Sequence, residues 1–266
     1  MKIGATGGIL GPQYDLVKKC GYDYFETAMS SIAGYTEEQM AEALERVKTV
    51  GLPVSNTNGL LSGEIHLTGP EATSDEELTA YLERAFSRAE KLGVKTAVWG
   101  SGAGRKIPEG FDLDLAHRQL LNAGRIIGDT AAKYGITVVI EPLCKRETNV
   151  FNTVTESIEF MKELNHPAVK VLADSYHMRA ESEPFSHVAE NIADILHTHI
   201  AEAIEGSYDL RVTPDRKDEN NIKAFVDTLK ACGYEGGISV EAGKRTEDYE
   251  YDLTEAARAL RQWINE

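Results

Sequence analysis

The chain alternates polar, helix-periodic stretches with short apolar runs. Each helical stretch ends near a Gly or Pro, and mostly apolar or β-branched residues follow. Runs such as ITVVIE and VKVLAD are apolar at nearly every position, which is typical of strands covered on both faces in a parallel sheet. Eight such runs predict strands over residues 2–5, 21–26, 52–58, 93–100, 135–141, 167–174, 195–199 and 236–241.

The stretches between these runs carry helix start and stop signals. Thr36 and Ser74 precede acidic first turns, and Thr153 stands three residues before Glu156 as a capping box. Glycines at 51, 93, 135 and 233 stand where helices should end. Helices are predicted over 36–50, 74–92, 113–134, 153–164, 185–193, 219–232 and 249–264. This alternation predicts an α/β fold, a single (β/α)8 TIM barrel domain over residues 1–266, rather than a six-strand doubly wound sheet.

Composition narrows the classes of partner and compartment. The 266 residues include 28 Lys and Arg against 43 Asp and Glu, a formal charge of −15, which argues against nucleic-acid binding. No apolar stretch approaches the roughly 20 residues that cross a bilayer, so we expect no membrane span and a cytoplasmic protein. Three widely spaced cysteines disfavour a disulfide framework and a thiolate zinc site. A bound metal would therefore need His, Asp and Glu ligands.

The glycine-rich start raises one alternative. GATGGILG, residues 4–11, resembles a dinucleotide-binding fingerprint, and Glu26 lies about where a ribose-binding carboxylate would stand. The preceding strand is very short, however, and Pro12 closes the segment. We therefore interpret this segment as an ordinary first βα loop, with nucleotide binding as the alternative.

Four successive predicted strands end in metal-ligand residue types: Glu141, Asp174, His199 and Glu241. In a TIM barrel the carboxyl ends of all strands gather at one mouth, so residues far apart in sequence converge there. Three carboxylates and one imidazole suit Mn²⁺, Mg²⁺, Co²⁺ or Zn²⁺. A single acidic residue after a strand is usually a helix cap, but four such strand ends together predict one divalent metal ion.

Longer motifs surround these four residues. They are EPLCKRETN over 141–149, LADSYHM around Asp174 and His177, HTHIAE around His199, RVTP from Arg211 and GGISVE ending in Glu241. Together they resemble the xylose-isomerase-like sugar isomerase and epimerase superfamily. Within it they are most similar to ketose 3-epimerases of the D-tagatose 3-epimerase type and to relatives that act on 3-keto-glycosides.

The resemblance implies a role for each matching residue. Glu141, Asp174, His199 and Glu241 would hold one divalent ion, with Mn²⁺ preferred, and the two glutamates would also serve as acid and base. His177 and Arg211 would hydrogen-bond substrate oxygens, and Glu147 would contact a hydroxyl. Cys144 stands where Asn is common, and Thr213, Pro214 and Asp215 replace a glycine-rich loop, so the resemblance leaves the substrate open.

Further residues are candidates because of where the predicted strands end. Trp99 ends the fourth strand, and Asn56 and Asn58 end the third, where they would give a sugar pocket an apolar wall and hydrogen-bonding edges. His66 lies on a long loop that would cover the mouth.

The predicted function is a metal-dependent epimerase or isomerase that moves a proton on a keto-sugar through an ene-diolate. Inosose and hydroxypyruvate variants fall within this class. Three alternatives stay open: a dehydratase or other lyase acting on a keto-polyol, an AP-site endonuclease with three zinc ions, and a non-catalytic barrel. The expected partner is a small sugar, and a homodimer or homotetramer is open because related barrels often pair.

Overall fold

Eight parallel strands close into a barrel in a computed structural model that describes residues 1–204 and 207–266. Around the barrel each strand lies beside the next barrel strand in chain order, and the last strand closes against the first. The predicted TIM barrel is confirmed. The strands in chain order are β1 (Lys2–Thr6), β2 (Tyr24–Ala28), β3 (Val54–Asn58), β4 (Thr96–Trp99), β5 (Thr137–Ile140), β6 (Val169–Asp174), β7 (Ile195–Ile200), β8 (Glu202–Ile204), β9 (Ser207–Val212) and β10 (Gly237–Val240).

Helices surround the barrel, and capping boxes begin two of them at Thr36 and Ser74. Gly51 and Gly93 end the same two helices in the left-handed conformation. In the part of the chain that the structure describes, no helix is long and apolar enough to cross a membrane. The helices are α1 (Gln13–Lys19), α2 (Met29–Gly34), α3 (Glu37–Val50), α4 (Asp75–Leu92), α5 (Gly102–Arg105), α6 (Leu113–Lys133), α7 (Val154–Leu164), α8 (Ser175–Ala180), α9 (Ser186–Glu190), α10 (Lys223–Ala231) and α11 (Tyr249–Asn265).

Successive side chains of each strand point to opposite faces of the sheet, so they are buried in two different places. Val98, Val139 and Leu172, on three neighbouring strands, form a small apolar cluster of their own inside the barrel. The alternate positions join the large core between strands and helices. This alternation decides which residues at the strand ends face the mouth.

Several short elements differ from the sequence-based expectation, and the helices α2, α5 and α8 were not predicted. Residues 13–19 form α1, for which no helix was predicted, because this short helix buries only Tyr14 and Val17 and its apolar periodicity is therefore weak. The predicted helix over 185–193 divides into α9 and a 3-10 turn, Ile192–Asp194.

The sequence also did not predict the antiparallel hairpin of β8 and β9, which follows β7 directly. A bridge between Val212 and Gly243 ties the hairpin to the chain after β10. Arg245 reinforces this link, since it pairs with the fully buried Glu202 and donates from Nε to the Thr213 carbonyl over 2.8 Å. The hairpin thereby brings its own residue Arg211 to the barrel mouth.

We expect Arg245→Met to destabilise the protein by about 3–5 kcal/mol, because it leaves the buried Glu202 carboxylate without its cation. Urea denaturation measures the free energy of unfolding. Arg258→Met is the control: Arg258 pairs with Glu255 but is 63% exposed, so we expect a loss below about 1 kcal/mol. Equal losses in the two variants would show that the Glu202 pair does not hold the hairpin.

Candidate functional site

The structure brings the four strand-end residues Glu141, Asp174, His199 and Glu241 together at the barrel mouth. Each offers one ligand atom, and these atoms all lie within 4.8 Å of one another. His199 Nδ1 lies 2.9 Å from Glu141 Oε1 and 3.4 Å from Glu241 Oε2. Asp174 and His199 are almost fully buried. Three carboxylates and an imidazole, without a thiolate, fit a hard or borderline divalent cation.

A glycine makes room for this cluster at the end of β4. A Cβ added to Gly100 would lie only 2.2 Å from Glu141 Oε2, closer than any real Cβ contact. Gly100 therefore allows the Glu141 carboxylate to lie against the neighbouring strand end. On the other side, Asn58 donates to Glu241 Oε1 over 2.6 Å and orients the second glutamate.

Burial and neighbouring charges shift the pKa values of the carboxyl groups in different directions. Burial raises the pKa of Asp174 to about 7, although the Arg211 guanidinium opposes the shift. Burial and the negative charge of Glu241 also raise the pKa of Glu141. For Glu241, burial acts in the same sense but is outweighed by His199, Arg211 and Asn58, and its pKa falls to about 2. Such a buried group of carboxylates is stabilised by a cation.

The side chains of Arg211 and His177 contact each other beside the cluster. His177 Nδ1 accepts from the Cys144 backbone N–H over 3.0 Å, so in the neutral ring the proton is on Nε2. Burial and the charge of Arg211 lower the pKa of His177 and keep the ring neutral. Arg211 Nη2 lies 2.7 Å from this Nε2. The two nitrogens are thus in direct contact as two donors, and an acceptor oxygen that reached both would relieve this unfavourable pairing.

Arg211 also joins the two neighbouring glutamates. It donates to Glu241 Oε2 over 2.6 Å and to Glu147 Oε1 over 2.8 Å. Cys144, Glu147 and His177 form another group whose ligand atoms lie within 4.8 Å. The guanidinium already bonds Glu147 and contacts His177, so a second cation there would meet a like charge.

Three of the predicted site residues, Asn56, His66 and Trp99, lie apart from the four strand-end residues. Asn56 lies deeper in the barrel, with its Nδ2 3.3 Å from His197 Nε2, while Asn58 occupies the mouth. His66 is exposed on the loop between β3 and α4, where its backbone N–H donates to Thr73. The structure does not bring it to the other predicted site residues.

The placement of Trp99 corrects the expectation that it lines a sugar pocket. Its side chain is fully buried and packs on Phe151 and Phe160, in the layer between strands and helices. Strand alternation explains the error, because Val98 faces the barrel interior and the next residue must face outward.

Glu26 contacts the site, although the sequence analysis did not place it there. It lies fully buried in the barrel, 2.9 Å from His199 Nε2 and 2.9 Å from His197 Nε2. Although burial opposes ionisation, the charges and hydrogen bonds of both histidines lower the pKa of Glu26. A carboxylate held this way is not available to a ribose, so Glu26 does not have the role that the nucleotide alternative gave it. The sequence did contain a signal for Glu26. Like Glu141, it is an acidic residue at the end of a predicted strand.

Comparisons with known proteins identify a family and similar sequences. A family model described as "Xylose isomerase-like TIM barrel" matches residues 14–266. A 3-dehydro-D-guloside 4-epimerase of Escherichia coli (strain K12) is 26% identical over 258 residues, 93% of this chain and 94% of the relative. A ketose 3-epimerase of Arthrobacter globiformis is 29% identical over 256 residues, 91% of this chain and 83% of the relative.

Solved structures resemble the whole barrel. A D-psicose 3-epimerase crystallised in the presence of D-fructose superposes with a TM-score of 0.82 at 23% identity and covers 100% of both chains. The apo 3-keto-D-glucoside 4-epimerase of E. coli gives a TM-score of 0.79 at 22% identity, covering 98% of this chain and 99% of the other. At these identities the structural likeness concerns the fold.

We expect Gly100→Ala to weaken Mn²⁺ binding by at least about 10-fold, because the new methyl group displaces the Glu141 carboxylate. Titration of free Mn²⁺ by electron paramagnetic resonance measures the affinity. Gly63→Ala is the control, since nothing lies within 4 Å of a Cβ added there. Unchanged affinity in Gly100→Ala would mean that Glu141 does not need this position to bind the ion.

Proposed function

We propose that this chain, which belongs to the xylose isomerase-like TIM barrel family, is a metal-dependent epimerase or isomerase of a ketose or keto-sugar. One observation carries the proposal: four metal-ligand atoms lie within 4.8 Å of one another, beside the donor groups of Arg211 and His177. The relatives at 26–29% identity named above are sugar epimerases, and they support the same class of reaction.

In this proposal Glu141, Asp174, His199 and Glu241 hold one divalent ion, for which Mn²⁺ is preferred over Mg²⁺, Co²⁺ and Zn²⁺. When bound, such an ion acts as a Lewis acid that stabilises negative charge on the ketone oxygen. Asp174 accepts the Tyr176 backbone N–H over 2.7 Å, which orients its carboxylate at the start of α8. The buried position of His199 restricts its ring to one orientation.

The two glutamates move the proton. One removes it from the carbon next to the ketone, and the other returns a proton from the opposite face. Return to the same carbon inverts its configuration, whereas return to the adjacent carbon interconverts ketose and aldose. Because the carboxyl groups of Glu141 and Glu241 approach His199 Nδ1 from two strands, β5 and β10, we propose that they stand on opposite sides of the bound sugar.

His177 and Arg211 bind the substrate oxygen. Arg211 Nη2 lies 2.7 Å from His177 Nε2, and a ketone or hydroxyl oxygen placed against both side chains would accept from each. Glu147, which is 42% exposed and accepts from Arg211, binds a hydroxyl at the outer side. The hairpin that bears Arg211 thus closes the sugar against the ligand cluster.

The names of the relatives indicate a shared substrate chemistry. A ketose 3-epimerase and a 3-dehydro-glycoside 4-epimerase both invert the carbon next to a ketone. We therefore propose an α-hydroxyketone as the substrate class. Whether the sugar is free or glycosidic depends on the loops after β5 and β9, where Cys144 and Thr213 depart from the family pattern.

Removal of the metal tests the proposal against the endonuclease and the non-catalytic barrel. We expect one divalent ion per chain after loading with Mn²⁺, and loss of activity on a panel of ketoses and 3-keto-glycosides after dialysis against EDTA. Mn²⁺ should restore that activity. Elemental analysis measures the ratio of ion to protein. Three zinc ions per chain with cleavage of phosphodiester bonds would contradict the proposal, as would activity without any metal.

Glu141→Gln and Glu241→Gln should each lower the rate of proton exchange by about 10²–10⁴-fold, because each removes a proton-transfer group. Mass spectrometry of the sugar after incubation in D₂O measures exchange at the carbon attacked, whatever the final product. Metal content is measured in the same samples, so that lost ligation is separated from lost proton transfer. Glu181→Gln is the control, because the Glu181 carboxylate pairs with Lys145 and lies outside the ligand cluster. Wild-type exchange in a metal-loaded Glu241→Gln variant would refute its role.

A further inference from the structure

Glu26 is at the centre of a buried hydrogen-bond network below the proposed metal ligands. Its Oε1 atom lies 2.9 Å from His199 Nε2. Its Oε2 atom lies 2.9 Å from His197 Nε2 and accepts from Ser239 Oγ over 2.6 Å. Tyr24 Oη lies 2.9 Å from the same serine oxygen. Both carboxylate oxygens are therefore occupied.

The two nitrogens of His199 face different carboxylates. Nε2 faces Glu26, whereas Nδ1 faces Glu141 and Glu241. A neutral imidazole carries one proton, and the hydrogen bond of one nitrogen decides which nitrogen keeps its lone pair. A carboxylate that accepts at Nε2 leaves the lone pair on Nδ1, directed at the other ligand groups.

We propose that Glu26 is a positioning residue that holds His199 as the Nε2–H tautomer and so presents Nδ1 to the divalent ion. The inference rests on the proposed function, because it assumes the metal site. His197 and Ser239 hold the Glu26 carboxylate in turn, and Tyr24 supports the serine. Some carboxylates accept a hydrogen bond from the ring nitrogen of a ligand histidine that does not bind the metal. Removal of such a carboxylate typically weakens metal binding by about 10–100-fold.

A different role for the same atoms is a second cation between Glu26, His197 and His199, whose ligand atoms also lie within 4.8 Å. The contacts favour the positioning role. Glu26 Oε2 already receives the Ser239 hydroxyl, and both histidine contacts are 2.9 Å long, the ordinary length of a hydrogen bond. A cation at this place would require the Nε2 atoms of both His197 and His199 to carry no proton.

The test compares Glu26→Gln with a matched control, Glu183→Gln. Glu183 is also buried and also faces a histidine, with its Oε1 2.9 Å from His187 Nδ1, but it lies outside the ligand group. We expect Glu26→Gln to bind Mn²⁺ about 10–100-fold more weakly than wild type. Glu183→Gln should bind like wild type. Equal affinities in Glu26→Gln and wild type would overturn the inference, and so would loss of a second Mn²⁺ per chain.

A measurement on the wild-type protein covers the case in which Glu26→Gln does not fold. Long-range ¹H–¹⁵N spectra of protein labelled at histidine and loaded with diamagnetic Zn²⁺ report which nitrogen of His199 carries the proton. We expect the proton on Nε2, and a proton on Nδ1 would overturn the inference. If wild type bound no divalent ion, the proposed function would fail together with the inference. Tight binding in both wild type and Glu26→Gln would refute only the role of Glu26.

Discussion

The contact of His199 with carboxylates on both of its sides is the interaction on which the barrel interior depends. One nitrogen faces Glu26 and the other faces Glu141 and Glu241, and all these groups are largely withdrawn from water. Buried carboxylates are unfavourable unless hydrogen bonds or positive charge compensate them. The histidine, the Arg211 guanidinium and a divalent ion are the groups that can do so. The polar residues around these groups supply hydrogen bonds that further compensate the buried carboxylates.

The parallel barrel makes this arrangement possible because it converts chain order into spatial order. Side chains alternate along each strand, so residues two apart face the same interior at different depths. His199 and Glu241 lie at the mouth, while His197 and Ser239 lie one step below and contact Glu26. In the proposed function the upper level would hold the metal ion and the lower level would orient its ligands. Catalytic groups in such barrels gather at the carboxyl ends of the strands for the same geometric reason.

The hairpin after β7 adds what the barrel strands do not supply. It places a cation above the carboxylates and is tied to the rest of the protein by the buried Glu202–Arg245 pair. Sequence patterns did not reveal it, because β8 is only three residues long and follows β7 after a single residue, Ala201. The identity of Arg211 as a site residue came from the family resemblance, and its contacts with Glu241, Glu147 and His177 came from the fold.

The order of strands and helices, the barrel and the four ligand candidates were all accessible from the sequence, because apolar runs, caps and strand-end residues are local patterns. Side-chain direction at a strand end was not, since it depends on register and closure. That is why Trp99 was expected at the mouth yet packs outward, and why Asn56 and Asn58, two residues apart, lie at different depths. Glu26 and His199 are 173 positions apart, and only barrel closure brings their atoms to 2.9 Å.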